Sequence, residues 1–265
     1  MEIDALHPIF LSAAYQKDRV AFQLIESIKL APSLLVSDGE NWIIGGVHVD
    51  YPYWIWTREG IDAQTVESLC TYVLKQFGGR NFYFVAKPEI ADKLVGPFLQ
   101  DGFTQRRIRM QSYKTCAPIV YKSNVPVSRP TIADIEGVAR CLAGFERDTF
   151  GYEVQVDDFM QNAEQKIGNP HFFVVKQDGQ VVATAQSSRE TQYYISINQV
   201  YTSPSYRNRG FASALVAHLG RLIQEKEKIP TLYADVTNPA SNHAYQKVGF
   251  ISCGCVDDVK VIKNR

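Results

Sequence analysis

The sequence predicts a mixed α/β fold (α+β in its detail) arranged as two similar units in tandem. Three observations carry that prediction. Short apolar runs bounded by turn residues alternate with segments of helical periodicity along the chain. Pro118, Pro126 and Pro130 fall within thirteen residues near the middle, a density that opposes both helix and central strand and marks a linker. On either side of that linker the order of elements is nearly the same, although no residue-level repeat joins the two sides. The expected units are residues 1–120 and 128–265.

In the second half, Thr131 is placed to cap a helix, with Asp134 three residues on at the positive end of the dipole. Ile132, Ile135, Val138, Ala139 and Leu142 then recur at helical spacing. A second helix is predicted over 157–166, with Phe159, Met160 and Ala163 facing inward. Phe172–Val175 and Val181–Ala185 read as a hairpin about Asp178-Gly179, and 193–202 as a further strand. A helix follows over 210–228 on Phe211, Ala214, Leu215, Leu219, Leu222 and Ile223, stopped by Pro230. Leu232–Val236 is a strand, Ala240–Val248 a short helix ended by Gly249, and the chain from Phe250 is strand again.

The first half reads as strands over 34–36 and 42–49, a helix over 66–77, a strand over 81–86, a helix over 89–100 and a strand over 103–113. Trp42, Trp54 and Trp56 read as core and turn aromatics; the alternative is that they line an acyl or amine pocket.

The chain has 265 residues, 45% of them hydrophobic, with 28 basic and 28 acidic side chains. Both halves are close to neutral, so nothing in the charge favours nucleic-acid phosphates or an anionic membrane as a partner. No apolar run approaches the roughly 20 residues that span a bilayer, and the N-terminus does not read as a signal peptide. Five scattered cysteines (Cys70, Cys116, Cys141, Cys253, Cys255) read as ordinary thiols rather than a metal or redox site. The expectation is a cytoplasmic, metal-free globular protein, monomeric or homodimeric.

The most informative stretch runs from Asn198 to Ala212. A strand ends at Thr202, Pro204 sits in the loop, and a helix starts at Gly210. Glycine there lets a phosphate approach the backbone, and the first N–H groups of the helix lack partners and face a positive dipole end. Arg207 and Arg209 add charge. Taken alone, Arg207-x-x-Gly210-x-Ala212 is weak, and a strand–loop–helix connection with a solvated arginine pair is the better reading. A second segment follows the next strand, with Asn238, Asn242, Tyr245 and Gly249-Phe250 at fixed spacing.

Together these two segments, correctly ordered over residues 128–262, resemble the GNAT superfamily of acyl-CoA-dependent N-acyltransferases. The resemblance implies a mixed sheet with flanking helices and acetyl-CoA as donor. It implies that backbone groups of Val200, Tyr201 and Thr202 bond the pantetheine amides. The N–H groups of Asn208, Arg209, Gly210, Phe211 and Ala212, with Arg207 near them, would hold the pyrophosphate, and Asn238 would lie beside the pantetheine arm. Tyr245 would be the catalytic acid: a phenol with a pKa of about 10 is protonated at neutral pH and can donate to the departing thiolate. The implied activity is acetylation of a small-molecule amine or an amino acid. A protein lysine or N-terminus is the alternative acceptor, and a non-catalytic acyl-CoA sensor the rival class.

Two features depart from the family pattern. Members often carry a Glu on the strand entering the loop, where this chain has Asn198 and Gln199, neither able to take a proton at neutral pH. Glu190, Glu146, Asp148 and Asp235 are alternatives that also read as ordinary carboxylates, and His171, His218 and His243 as bystanders, so no base is assigned. The stretch Ala86–Ala91, the expected strand-to-helix loop of the first half, lacks the Arg-x-x-Gly-x-Ala pattern. A first half of the same fold would then be degenerate in cofactor binding.

Overall fold

The structure, a computed structural model, describes residues 1–264. Elements follow in chain order as α1 (Ala13–Asp18), α2 (Leu24–Ile28), β1 (Leu34–Ser37), β2 (Trp42–Gly46), β3 (Tyr53–Thr57), α3 (Ala63–Phe77), β4 (Phe82–Ala86), α4 (Pro88–Gln100) and β5 (Phe103–Lys114). The second half gives α5 (Ile135–Phe150), α6 (Met160–Ile167), β6 (Phe172–Gln177), β7 (Gln180–Ser188), β8 (Tyr194–Thr202), α7 (Phe211–Glu225), β9 (Ile229–Asp235), α8 (Pro239–Val248) and β10 (Ile251–Lys263). The class is mixed α/β, with mixed sheets flanked by helices.

The described chain divides into two compact units, one of residues 1–113, 233–237 and 252–264, the other of residues 114–232 and 238–251. In the first, strand order is β1-β2-β3-β4-β10-β5. β1 to β3 pair antiparallel and β3 to β4 parallel. Strand alternation sends Ile44, Ile55 and Phe84 to one face, against Leu69, Val73 and Phe77 of α3 and Leu94 and Phe98 of α4. Ile43, Trp54 and Trp56 go to the other, against Tyr15, Phe22 and Ile25. The tryptophans are core.

In the second unit the order is β9-β8-β7-β6, antiparallel from β6 to β8 and parallel between β8 and β9. One face carries Phe172, Val174, Val181 and Tyr201 under Val138, Leu142 and Ala163 of α5 and α6. α7 covers the other face, packing on β7 and β8 with Leu215, Leu219 and Ile223 buried. The α5 start matches expectation: Asp134 Oδ2 accepts from Thr131 N at 2.7 Å, closing a capping box.

Three expectations change. First, the C-terminal strand does not stay with the second unit. β10 pairs antiparallel with β4 from Asp257↔Ala86 to Val261↔Phe82, and Val259 and Val261 join the Phe82 and Phe84 cluster. The fully buried Asp257 accepts from Arg107 Nε at 2.7 Å and Arg109 Nε at 2.8 Å on β5. An apolar strand face and a paired buried carboxylate hold it there, so the expected boundary 128–265 does not describe a compact unit.

Second, β3 was not expected as a strand. All five of its residues are buried, so it shows no alternation to read. With β3, and with α1 and α2 ahead of β1, both units run helix, helix, three antiparallel strands, helix, parallel strand, helix. Third, β3 moves the loop of the first unit that corresponds to 203–210. It is Arg58–Asp62 ahead of α3, not Ala86–Ala91.

Candidate active site

β8 carries the geometry that matters. Its parallel pairing with β9 is registered at three positions, from Tyr194↔Ile229 to Ser196↔Thr231, yet the strand runs on to Thr202. Against β7 the register steps from Gln186↔Asn198 to Thr184↔Tyr201, so three residues of β8 oppose two of β7. The extra residue is Gln199, which takes φ +49°, a conformation non-glycine residues rarely adopt. The bulge keeps Asn198 and Tyr201 on one face of the strand, toward α5 and α6. Gln199 Oε1 and Thr202 Oγ1 are buried without a hydrogen-bond partner among the described residues.

The chain then turns through Pro204–Tyr206 into two left-handed residues, Asn208 (φ +63°) and Gly210 (φ +80°). Gly210 precedes α7 and offers no capping side chain, so the first N–H groups of this fifteen-residue helix lack side-chain partners. Left-handed residues at such a turn direct successive N–H groups into a concavity suited to an anion. The phenol oxygen of Tyr121, from the linker, is the nearest atom to a Cβ placed on Gly210, at 3.7 Å. Tyr121 is held by Arg221 Nη1 donating to its carbonyl at 3.1 Å and by Lys247 5.8 Å from its ring centroid.

The two arginines brace the loop. Arg207 donates to Thr202 O at 3.1 Å and pairs with Asp148 of α5, its guanidinium 5.9 Å from the Tyr201 ring. Arg209 donates to Ser205 O at 3.2 Å and lies over the Tyr206 ring. Tyr201 is 8% exposed, and burial pushes its phenol up, with Asp148 adding to the shift. Phe211 is buried and Ala212 half-buried at the helix start.

Asn238 caps α8, its Oδ1 accepting from Ser241 N at 3.0 Å, and Asn242 Nδ2 donates to Asn238 O at 2.7 Å. Tyr245 lies on α8 and is 5% exposed. Ser213 Oγ of α7 donates to Ala244 O at 3.3 Å, tying the two helices beside Tyr245. Val200 is half-buried on β8 just past the bulge.

Among the alternative bases, Asp148 is engaged by Arg207, and Asp235 accepts from Thr237 N and Oγ1, both at 2.7 Å. Glu190 lies 3.9 Å from Lys226 and 4.0 Å from Lys228 in the β7–β8 turn. That turn also borders a cavity of about 320 Å³ lined by His171, Phe173, Arg189 and Leu222. At about 3.3 Å per residue the length of β8 separates it from the loop by more than 20 Å, so it is a different place.

A chain of side chains not expected from the sequence lies on the α6 side of the bulge. Lys166 Nζ donates to Gln186 Oε1 at 2.7 Å, Gln186 Nε2 to Asn198 Oδ1 at 2.8 Å, and Asn198 Nδ2 to Ser188 Oγ at 2.5 Å. The signal was present in part: a covered strand reading Gln186-Ser187-Ser188 is polar where packing asks for apolar residues.

In the first unit, the loop ahead of α3 is finished differently. The Asp62 carboxylate accepts from Thr65 N at 2.7 Å, which holds its acid below the ordinary range. The helix end there already faces a negative charge of the protein's own, where the second unit leaves Gly210.

Residues 141–250 match the model of the acetyltransferase (GNAT) family. No curated protein matches the chain. Among solved structures, a putative GNAT acetyltransferase from Novosphingobium aromaticivorans is similar at 16% identity and a TM-score of 0.54, covering 94% of this chain and 99% of its own. A GCN5-related N-acetyltransferase from Kribbella flavida gives 14%, 0.55, 96% and 97% for the same quantities. A Drosophila protein gives 12%, 0.60, 99% and 92%. At these identities the likeness is one of fold, and it extends over both units. Over residues 141–250 the chain carries an acetyltransferase domain of the GNAT family.

Proposed function

We propose that this domain transfers the acetyl group of acetyl-CoA to the amine of a small molecule or amino acid. The observation that carries the reading is β8 running past its parallel partner, through the Gln199 bulge, into a left-handed Gly210 and an uncapped α7. The free edge after Ser196, with the orphaned Gln199 Oε1 and Thr202 Oγ1, fits a ligand arm rich in amides. Backbone groups of Val200, Tyr201 and Thr202 would hold that arm and Asn238 would flank it. The N–H groups of Asn208 to Ala212 would take the pyrophosphate, with Arg207 keeping the loop in shape. Bound there, the thioester supplies the activated acyl group. The N–H of Val200 would polarise its carbonyl, and Tyr245 would give a proton to the leaving sulfur.

We read the first unit as a GNAT-like domain that has lost cofactor binding, in tandem with the active one. Its Asp62 carboxylate repels what Gly210 admits. Among the described residues, no helix is long and apolar enough to cross a membrane and no cluster of His, Cys, Asp and Glu is suited to a metal. We further propose a cytoplasmic, metal-independent enzyme, monomeric or homodimeric.

One observation favours the sensor reading: the Asn198 amide is tied to Gln186 and Ser188, and β8 itself carries no carboxylate. The separating experiment is CoA release from acetyl-CoA against a panel of amines. Release with any amine retires the sensor. Absence of acetyl-CoA binding in a thermal-shift titration retires both readings.

A further inference from the structure

Lys166 sits in the last turn of α6, half-buried against the sheet. Among the described residues its ammonium makes one hydrogen bond, to Gln186 Oε1, lies 5.8 Å from the Phe172 ring centroid and pairs with no carboxylate. Burial alone pushes its pKa down, with no charged neighbour contributing. A cation half-buried against a sheet without a counter-ion calls for a reason.

Its surroundings sharpen the point. The face of β7 and β8 under α5 and α6 carries Thr184, Gln186, Ser188, Ser196 and Asn198, with Gln186 opposite Asn198 and Ser188 opposite Ser196. Gln186 is 8% exposed and Thr184 and Ser196 are 1% exposed. Neutral side chains could satisfy one another there without a cation. The ammonium can only donate, so it fixes the direction of the chain: Gln186 presents its oxygen to Lys166 and its NH₂ to Asn198, whose NH₂ then reaches Ser188 Oγ. Ser188 receives at its oxygen, leaving its hydroxyl proton to point elsewhere. Two ammonium protons are also unused. The whole assembly presents donors and positive charge, and it begins one residue before the bulge that leads to Val200.

Resting on the reading that this domain acetylates an amine, we propose that Lys166 and the chain it orients bind a carboxylate of the acceptor, so that the substrate is an amino acid rather than a simple amine. Lys166 is thus a specificity-determining residue. It supplies the counter-charge, and the acceptor supplies the anion that the protein lacks there.

The test uses the full chain with acetyl-CoA, measuring CoA release from glycine, β-alanine and 4-aminobutyrate, each beside its own carboxamide. The carboxamide preserves size and removes charge. For glycine it also lowers the basicity of the amine, so intrinsic reactivity favours the amide and any preference for the acid comes from the protein. The expected result is a KM lower for the acid by roughly ten- to hundred-fold for the compound whose length fits, the range of a charge-assisted hydrogen bond. Lys166→Met should abolish the preference, Lys166→Arg should retain most of it, and both should keep the acetyl-CoA thermal shift. Equal KM values for acid and amide in the wild-type protein overturn the proposal and leave the acetyltransferase reading standing, and this comparison needs no variant to fold. A preference that survives Lys166→Met also overturns it. A wild-type protein with no acetyl-CoA shift instead fails at the underlying reading.

Discussion

Gly144 of α5 lies directly against the phenol of Tyr201 on β8: a Cβ at position 144 would overlap the ring, coming 2.5 Å from Cζ. A helix glycine in a right-handed conformation needs no special backbone freedom, so its role here is space. Tyr201 in turn stands beyond the Gln199 bulge and beside Arg207. Helix α5 therefore sets the height of the strand segment proposed to hold the cofactor.

Gly144→Ala should cost about 1–3 kcal/mol of stability, as overpacking of a buried contact does. It should also weaken acetyl-CoA binding by displacing Tyr201. Denaturant unfolding and a thermal-shift titration check the two effects. A loss of stability with unchanged binding would show that β8 does not move with Tyr201.

Acetyl-CoA should raise the melting temperature, by the equivalent of about 2.7 kcal/mol at a hundred times its Kd, with one molecule bound per chain. Gly210→Val should abolish the shift, because a β-branched residue is strained at φ +80° and crowds the N–H groups of α7. Calorimetric titration reads the stoichiometry. Two sites per chain would contradict the role given to Asp62.

Tyr245→Phe keeps the buried ring and removes the hydroxyl. Turnover should fall at least ten-fold, near the lower end of general-acid effects because a thiolate leaves readily, while the acetyl-CoA Kd stays within a few-fold. Steady-state turnover beside direct titration checks this. Equal losses in both would assign the hydroxyl to cofactor binding.

His218 on α7 packs edge-on to Phe173 at 4.7 Å, and its Nε2 is buried without a partner among the described residues. Burial lowers its pKa from 6.5, Arg221 lowers it further, and Glu225 partly opposes. The unfolded chain therefore binds this proton more readily than the folded one. The contribution of neutral His218 is fully present above pH 6.5 and is lost as pH falls toward the lower folded pKa. His218→Leu should flatten stability between pH 6.5 and 5, measured by urea unfolding across that range. An unchanged slope would move the effect to another group.

Cys141 is buried, and its thiol is pushed up to about 11 by burial. It should resist a thiol reagent at neutral pH in the folded protein and react on unfolding, while the exposed Cys116 reacts at once. Mass spectrometry of briefly labelled protein distinguishes the two. This labelling also sets the background of any CoA-release assay that uses such a reagent.

Residue spacing alone exposed the two segments that resemble the family, both inside the matched span 141–250, because Gly210, Asn238 and Gly249 occupy turns and caps whose requirements are local. The helices over α3, α4, α5 and α7 were legible for a related reason: each has one apolar stripe at the helical period. Local chemistry did not reach β3, whose five buried residues have no alternation, nor β10, whose apolar face says that it is buried but not against which strand.

The sequence by itself determined the mixed α/β class and the strand–loop–helix step from β8 into α7 at Gly210. Only the tertiary structure decided that β10 completes the first unit and that Lys166 lies half-buried against Gln186. Both depend on which distant residues are brought together, and strand pairing and a hydrogen bond from helix to sheet are properties of partners rather than of positions along the chain.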